Sequence, residues 1–130
     1  MNLYFADTNL YLRFLLQDNR NQTEKVKEYF RKAQKKKLRI IFLNPIIIEM
    51  EVVLRKVYGL SKAEIIKSLL LLIKTPFLDI EEKQLWLITF ERFSTINIDL
   101  LDIFLFEKAR AESGQVLSFD KDFTKLAKLN

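Results

Sequence analysis

The 130-residue chain contains no Cys and no His, so its reactive side chains are carboxylates, hydroxyls and cations. No imidazole can act as general base, general acid or metal ligand, and cysteine-based zinc or nucleophile chemistry is excluded. If such a chain cleaves a phosphodiester, it does so with carboxylates and hard metal ions. Four acids stand where this chemistry could be assembled: Asp7 in "FADTNLYLRF", Glu49 in "NPIIIEMEVVLRKVYG", Asp102 in "DLLDIFLFEKA" and Asp120 in "VLSFDKDF". A carboxylate at the end of a buried strand, as expected for Asp7, is costly to desolvate unless a cap, an ion pair or a metal compensates it.

The elements that position these acids alternate in type. "NLYFA" reads as a short buried strand, followed by "DTN" and a helix from about Leu10 to Gln17. From about Gln22 to Lys37, Val26, Tyr29, Phe30 and Ala33 form one apolar stripe on a charged helix. "RIIFL" is a second strand. Asn44-Pro45 reads as an N-cap with proline at the first helical position, opening a helix that Gly59 stops after about Tyr58. Ser61 and Glu64 form a capping box for a helix reaching to Thr75-Pro76. "PFLDI" is a further short strand, and Glu81 to about Phe93 an amphipathic helix with Leu85, Ile88 and Phe93 inward. A helix from about Leu100 to Glu112 precedes Gly114, then "QVLSF" reads as a strand and "DKDFTKLAKL" as a last short helix. This alternation predicts an α/β domain: a mainly parallel sheet with helices on both faces, three layers in all. No repeat or low-complexity segment interrupts it.

A chain of this length, with 49% hydrophobic and 30% charged residues and only two Gly and two Pro, has the composition of one helix-rich globular domain spanning 1–130. The absence of Cys fits a reducing compartment. The N-terminus lacks the order of a signal peptide and the apolar runs are far shorter than a membrane span, so a cytoplasmic location without membrane attachment is expected. The net charge of +5 favours a polyanionic partner such as nucleic acid over an acidic small molecule.

In open parallel sheets ligands collect outside the carboxyl ends of the strands, which suits Asp7 and Asp120. Each acid also has a purely structural alternative. Asp7 or Asn9 would cap the first helix, Asp120 the last, and Asp99 with Asp102 resembles a capping arrangement at a helix start. On a helical wheel at about 100° per residue, Glu49 and Glu51 flank the apolar centre of their helix at nearly equal angles. Periodicity does not choose between them.

Taken in order, these segments resemble the PIN-domain ribonucleases, and within them the VapC-type toxins of toxin–antitoxin pairs. "DTN" with "LYLRFLL" is similar to the family's opening motif, "PIIIEMEVVLRKVYGLS" to its central helix, "DLLDIFLFEKA" to its third acidic helix and "VLSFDKDFTKL" to its closing motif. The resemblance covers nearly the whole chain. It implies metal binding and catalysis by Asp7, Glu49, Asp102 and Asp120, preferring Glu49 to Glu51. It also implies support from Thr8, Asn9 and Ser118, auxiliary roles for Asp99 and Asp122, and a basic position beside the site at Arg13. Two features depart from the pattern. The family usually continues into a further strand after the closing helix, so that strand is expected to be missing or supplied by a partner. Phe104 and Phe106 stand where small residues are common.

The activity that the resemblance implies is that of an endoribonuclease. All-oxygen ligation favours Mg²⁺ or Mn²⁺, one or two ions per site, and hydrolysis of RNA to 5′-phosphate and 3′-hydroxyl ends. A non-catalytic PIN-like module binding RNA or protein is the alternative, and a phosphoryl-accepting receiver-type domain a remoter one, because "FADTN" lacks an adjacent acid pair. For holding RNA, Arg13 is preferred, then Lys121 and Lys125. The basic run "RKAQKKKLR" is read as a solvated helix end in preference to an RNA site. Ile48, Val52 and "LLLLI" supply apolar surface beyond one stripe, for the core or for a homodimer or antitoxin interface.

Overall fold

The computed structural model describes residues 1–129. Its elements run β1 (Asn2–Phe5), α1 (Thr8–Leu16), α2 (Arg20–Gln34), β2 (Leu38–Phe42), α3 (Asn44–Lys56), α4 (Lys62–Ile73), β3 (Leu78–Ile80), α5 (Lys83–Phe93), α6 (Leu100–Ala111) and α7 (Asp122–Ala127). They fall into two compact units, one from Met1 to Glu81 and one from Glu82 onward.

The first unit holds a three-stranded parallel sheet in the order β1-β2-β3, with Phe5 opposite Ile41 and Phe42 opposite Ile80. Parallel neighbours require crossovers, and the helix pairs α1–α2 and α3–α4 supply them. The chain is thus an α/β fold with its sheet flanked by helices. Leu38, Ile40 and Phe42 of the central strand are buried, whereas Leu3, Tyr4 and Phe5 of β1 are exposed. The expectation that the first strand is buried is therefore corrected. Among the described residues it lies at the sheet edge, with a single strand neighbour. Tyr11 stacks on Phe42 with ring centroids 3.9 Å apart and donates its hydroxyl to the Ile41 carbonyl at 3.2 Å. Burial pushes the pKa of that hydroxyl upward.

Local chemistry explains the helix boundaries. Asn19 caps α2 by accepting the Gln22 N–H at 3.1 Å, and Val26, Phe30 and Ala33 face inward while Tyr29 is exposed. α3 starts one residue earlier than expected: Leu43 is its N-cap and makes no side-chain cap bond. The Asn44 N–H is satisfied by Glu81 Oε1 at 2.9 Å. At the other end Gly59 adopts φ 65°, and the Leu60 N–H reaches back to the Leu54 carbonyl at 3.0 Å, a turn that favours glycine. The Ser61–Glu64 capping box forms as expected, with reciprocal bonds of 3.0 and 3.2 Å.

In the second unit Leu85, Trp86, Thr89, Phe90 and Phe93 are buried on α5. Ile88, expected to face inward, is exposed, because the inner stripe is centred on Trp86 and Phe90. Trp86 stacks on Phe104 at 4.2 Å, so one of the two unusually bulky residues serves packing. Glu107 is buried and paired with Arg92. "QVLSF" is not a strand. After α6, Ser113 turns at φ 56° and the Gly114 N–H returns to the Ala109 carbonyl at 2.7 Å. Residues 115–119 then run unpaired, with Leu117 and Phe119 fully exposed. Apolar composition favours a strand there, but a strand also needs a ladder partner, and this segment has none among the described residues.

Candidate functional site

The acids singled out from the sequence divide equally between the units. In the first, Asp7 leaves the carboxyl end of β1 and is the N-cap of α1, its Oδ1 accepting the Leu10 N–H at 3.0 Å. That bond engages one carboxylate oxygen. Thr8 is buried and donates its hydroxyl to Glu49 Oε2 at 2.8 Å, joining the turn after β1 to α3. Asn9 is exposed on α1.

The two glutamates that periodicity leaves undecided have opposite surroundings. Glu49 is exposed and its carboxylate accepts from a neutral hydroxyl. Glu51 is 5% exposed and takes both Nε and Nη2 of Arg55, at 2.8 and 3.3 Å. A buried, bidentately paired carboxylate has a structural task, whereas Glu49 retains access to solvent. Arg13 is held by two partners, Asp18 at 2.8 Å and the Tyr58 hydroxyl at 3.0 Å. Residue spacing does not point to the second of these, since Tyr58 lies 45 residues away in sequence.

In the second unit Asp102, near the start of α6, meets Asp120 and Asp122 at the start of α7. Each offers a carboxylate oxygen, and these oxygens all lie within 4.8 Å of one another. The local turn explains part of this convergence. The Asp120 N–H donates to Ser118 Oγ and the Asp122 N–H to Asp120 Oδ1, both at 2.9 Å, folding residues 118–122 into a tight acid-bearing loop. Desolvation raises the Asp102 pKa above the ordinary carboxylate value, and negative charge on Asp99, Asp120 and Asp122 raises it further. Compensation within the group is slight: Lys125 lies 3.7 Å from Asp122 and is largely exposed. Asp99 occupies the N-cap position of α6 without a side-chain cap bond, so the capping arrangement expected of it with Asp102 does not form. Lys121 is exposed at the start of α7.

The family resemblance makes Asp122 auxiliary, yet it is a full member of this group. The signal is its i+2 spacing from Asp120, which an Asx-type turn converts into proximity. Three converging carboxylates, with a single largely exposed lysine paired to one of them, are suited to a hard divalent ion, which takes oxygen ligands and relieves their repulsion.

The sequence pattern of the PIN domain matches residues 4–129. This chain belongs to the PIN-domain family. No curated protein and no solved structure matches it. The PIN assignment spans both units and includes every acid described above. PIN domains are in general nucleases dependent on Mg²⁺ or Mn²⁺, and the acidic group of this PIN domain has the donor set for such an ion. Among the described residues no helix is long and apolar enough to cross a membrane.

Proposed function

We propose that this PIN domain is a metal-dependent endoribonuclease, the toxin of a VapC-type toxin–antitoxin pair, hydrolysing RNA to 5′-phosphate and 3′-hydroxyl ends. The observation that carries the reading is the convergence of Asp102, Asp120 and Asp122 with so little positive charge to compensate them. Residues 1–130 act in this proposal as a single nuclease domain, with Asp7, Glu49, Asp102 and Asp120 as its catalytic acids.

The residues divide the work according to their surroundings. Asp102, Asp120 and Asp122 would hold the Mg²⁺ or Mn²⁺, one or two ions in number, and Asp99 adds to the local negative potential. A bound divalent ion would acidify a water and neutralise charge building on the phosphate and the leaving 3′ oxygen. Thr8 orients Glu49 through its 2.8 Å hydrogen bond. Asp7 keeps one oxygen on the α1 backbone, which fixes the direction of the other. Ser118 shapes the loop that presents Asp120. Asn9 follows Thr8 on α1, and Arg13, fixed by Asp18 and Tyr58, together with Lys121 would steady the RNA backbone electrostatically.

A toxin of this type would work in the cytoplasm as a homodimer neutralised by a cognate antitoxin. Exposed Val57, Tyr58 and Leu71 after α3 and on α4 supply apolar area for such contacts. The deciding experiment incubates the purified protein with RNA and added Mg²⁺ or Mn²⁺, then sequences the product ends. Cleavage that EDTA abolishes, leaving 5′-phosphates, supports the proposal. RNA binding without cleavage at any metal concentration would instead assign the non-catalytic module.

A further inference from the structure

The basic run from Arg31 to Arg39 takes on a different meaning once its backbone is known. α2 ends at Gln34, so Arg31 and Lys32 are the run's cations in the last helical turn. Lys35, Lys36 and Lys37 lie beyond it. The terminal carbonyls are already satisfied by the backbone: Lys35 N–H donates to Arg31 O, Lys36 N–H to Ala33 O and Lys37 N–H to Lys32 O, at 2.9 to 3.0 Å. The three lysines are therefore not needed as caps. Lys36 even adopts φ 61°, a conformation that Gly or Asn takes at lower cost. All three are exposed, and none has an ion-pair partner among the described residues. Three adjacent unpaired cations repel one another, and a polyanion relieves that repulsion.

Beside this corner is a cavity of about 410 Å³ lined by Gln34, Lys36, Leu38, Arg39, Pro76 and Phe77 among others. Its volume falls within the roughly 300–1,000 Å³ of small-ligand sites. Its wall is mostly apolar, with the half-buried Phe77 ring against Phe30 at 5.7 Å and the Arg39 guanidinium held at 2.8 Å by Asp79. Cations beside an aromatic and apolar recess suit a flexible strand that offers both phosphates and unstacked bases. The cavity lies where β2 and β3 begin, whereas Asp7 follows the opposite, carboxyl end of β1.

We propose that the α2–β2 corner is a second, metal-independent binding site for single-stranded RNA, in which Lys35, Lys36 and Lys37 hold phosphates and the adjoining cavity accepts one base. It rests on the nuclease reading for the identity of the polymer alone, because the binding needs none of the acids. The test measures fluorescence anisotropy of a short labelled oligouridylate with the full chain in EDTA, where cleavage and binding separate, across a series of salt concentrations. The variant carries Lys35→Gln, Lys36→Asn and Lys37→Gln, the Asn chosen to tolerate the positive φ. A matched control carries Lys67→Gln, Lys74→Gln and Lys128→Gln, with the same net charge.

The corner variant should lose about tenfold or more in affinity and about 2 from the slope of log affinity against log salt, near 0.7 per phosphate contact released. The control should lose far less of both. Phe77→Leu should weaken binding severalfold with the salt slope unchanged. Equal losses in the two triple variants would reduce the effect to net charge and overturn the proposal, as would an unchanged corner variant. Equally tight binding of duplex RNA, or equal competition by poly-glutamate, would assign the corner to duplexes or to an acidic protein and likewise overturn it. Wild-type binding that depends on the corner while cleavage is absent under Mg²⁺ and Mn²⁺ would uphold this site and defeat the nuclease reading separately.

Discussion

The acids of the first unit and Asp102 of the second are solvated and paired in different ways. In the first, each critical carboxylate has a neutral or oppositely charged partner: Asp7 accepts a backbone N–H, Glu49 a hydroxyl and Glu51 a guanidinium. In the second, Asp102 faces other acids, and their charge adds to burial in raising its pKa. Carboxylates that stabilise a fold are normally placed where the folded state favours the charged form. Asp102 is placed where the folded state disfavours it, and perturbations of this kind cluster at functional sites.

RNA cleavage should respond to this difference more than any other property. Asp102→Asn should lower RNA cleavage by about a hundredfold or more, the order of loss from removing one electrostatic group in an active site. Asp7→Asn should also abolish most activity while leaving the fold intact, because asparagine caps a helix as well as aspartate. Single-turnover rates at several Mn²⁺ concentrations, with circular dichroism as the check on folding, decide both. Full activity in well-folded Asp102→Asn would make the acidic group incidental.

Metal binding comes next. An ion that binds the folded state alone stabilises it by RT ln(1 + [L]/Kd), about 2.7 kcal/mol at a hundredfold excess over Kd. For a chain of this size that is a rise on the order of 10 °C in melting temperature. Mn²⁺ titration followed by differential scanning fluorimetry should show it for the parent chain and a much smaller rise for Asp122→Asn. An equal response from Glu51→Gln and the parent is also expected, since Glu51 belongs to the ion pair with Arg55. No response to Mn²⁺ in the parent would leave the repulsion among these acids without its proposed purpose.

A smaller effect separates Glu49 from Glu51. Glu51→Gln removes the charge from a buried carboxylate bound by a half-exposed Arg55. Solvent screening on the arginine side limits the loss to about 1 kcal/mol, or roughly 4 °C. Glu49→Gln keeps an acceptor for Thr8 and should stay within about 0.5 kcal/mol of the parent, but impair cleavage. Thermal melts and cleavage rates of the two variants should therefore rank in opposite orders. The same ranking in both measurements would mean that the glutamates do not divide structure from chemistry.

How far these features are legible in the sequence depends on the range of the interactions that create them. The Ser61–Glu64 box lies three residues apart and can be read directly, as can the parallel α/β order from alternating strand and helix patterns. The cap of α3 cannot, because its acceptor is Glu81, brought to Asn44 across 37 residues by the β2–β3 pairing. Residues 115–119 mislead for a related reason: apolar character is local, whereas the strand partner that makes a strand is not. Ile88 falls on an inward stripe by periodicity, but the true centre of that stripe is the large Trp86 and Phe90 pair, whose rings lie 5.7 Å apart. Among the acids, the composition excludes imidazole and thiol chemistry at once. The grouping of Asp122 with Asp102 requires the 118–122 turn, which residue types suggest but do not specify.

The subtlest test of the contrast is the dependence of stability on pH without metal. Asp102 has a folded-state pKa above the ordinary value of 3.8, with burial as the largest cause and Asp99, Asp120 and Asp122 as the others. The folded chain therefore binds this proton more tightly than the unfolded chain does. Below the ordinary value the carboxyl is protonated in both states and contributes no difference. As pH rises through that value the unfolded state ionises first, so folding loses stability until the folded-state pKa is passed, after which the penalty is constant. Asn at this position cannot ionise and escapes the penalty. In EDTA, Asp102→Asn should thus melt progressively higher relative to the parent as pH rises from the acid end of the carboxylate range, with the difference level by neutral pH. Calorimetric melts of the variant and the parent across that range, compared at the same pH, measure the difference. A difference for Asp102→Asn that shrinks as pH rises would mean that the Asp102 carboxylate is stabilised in the folded state, and its acidic neighbours would then carry no penalty.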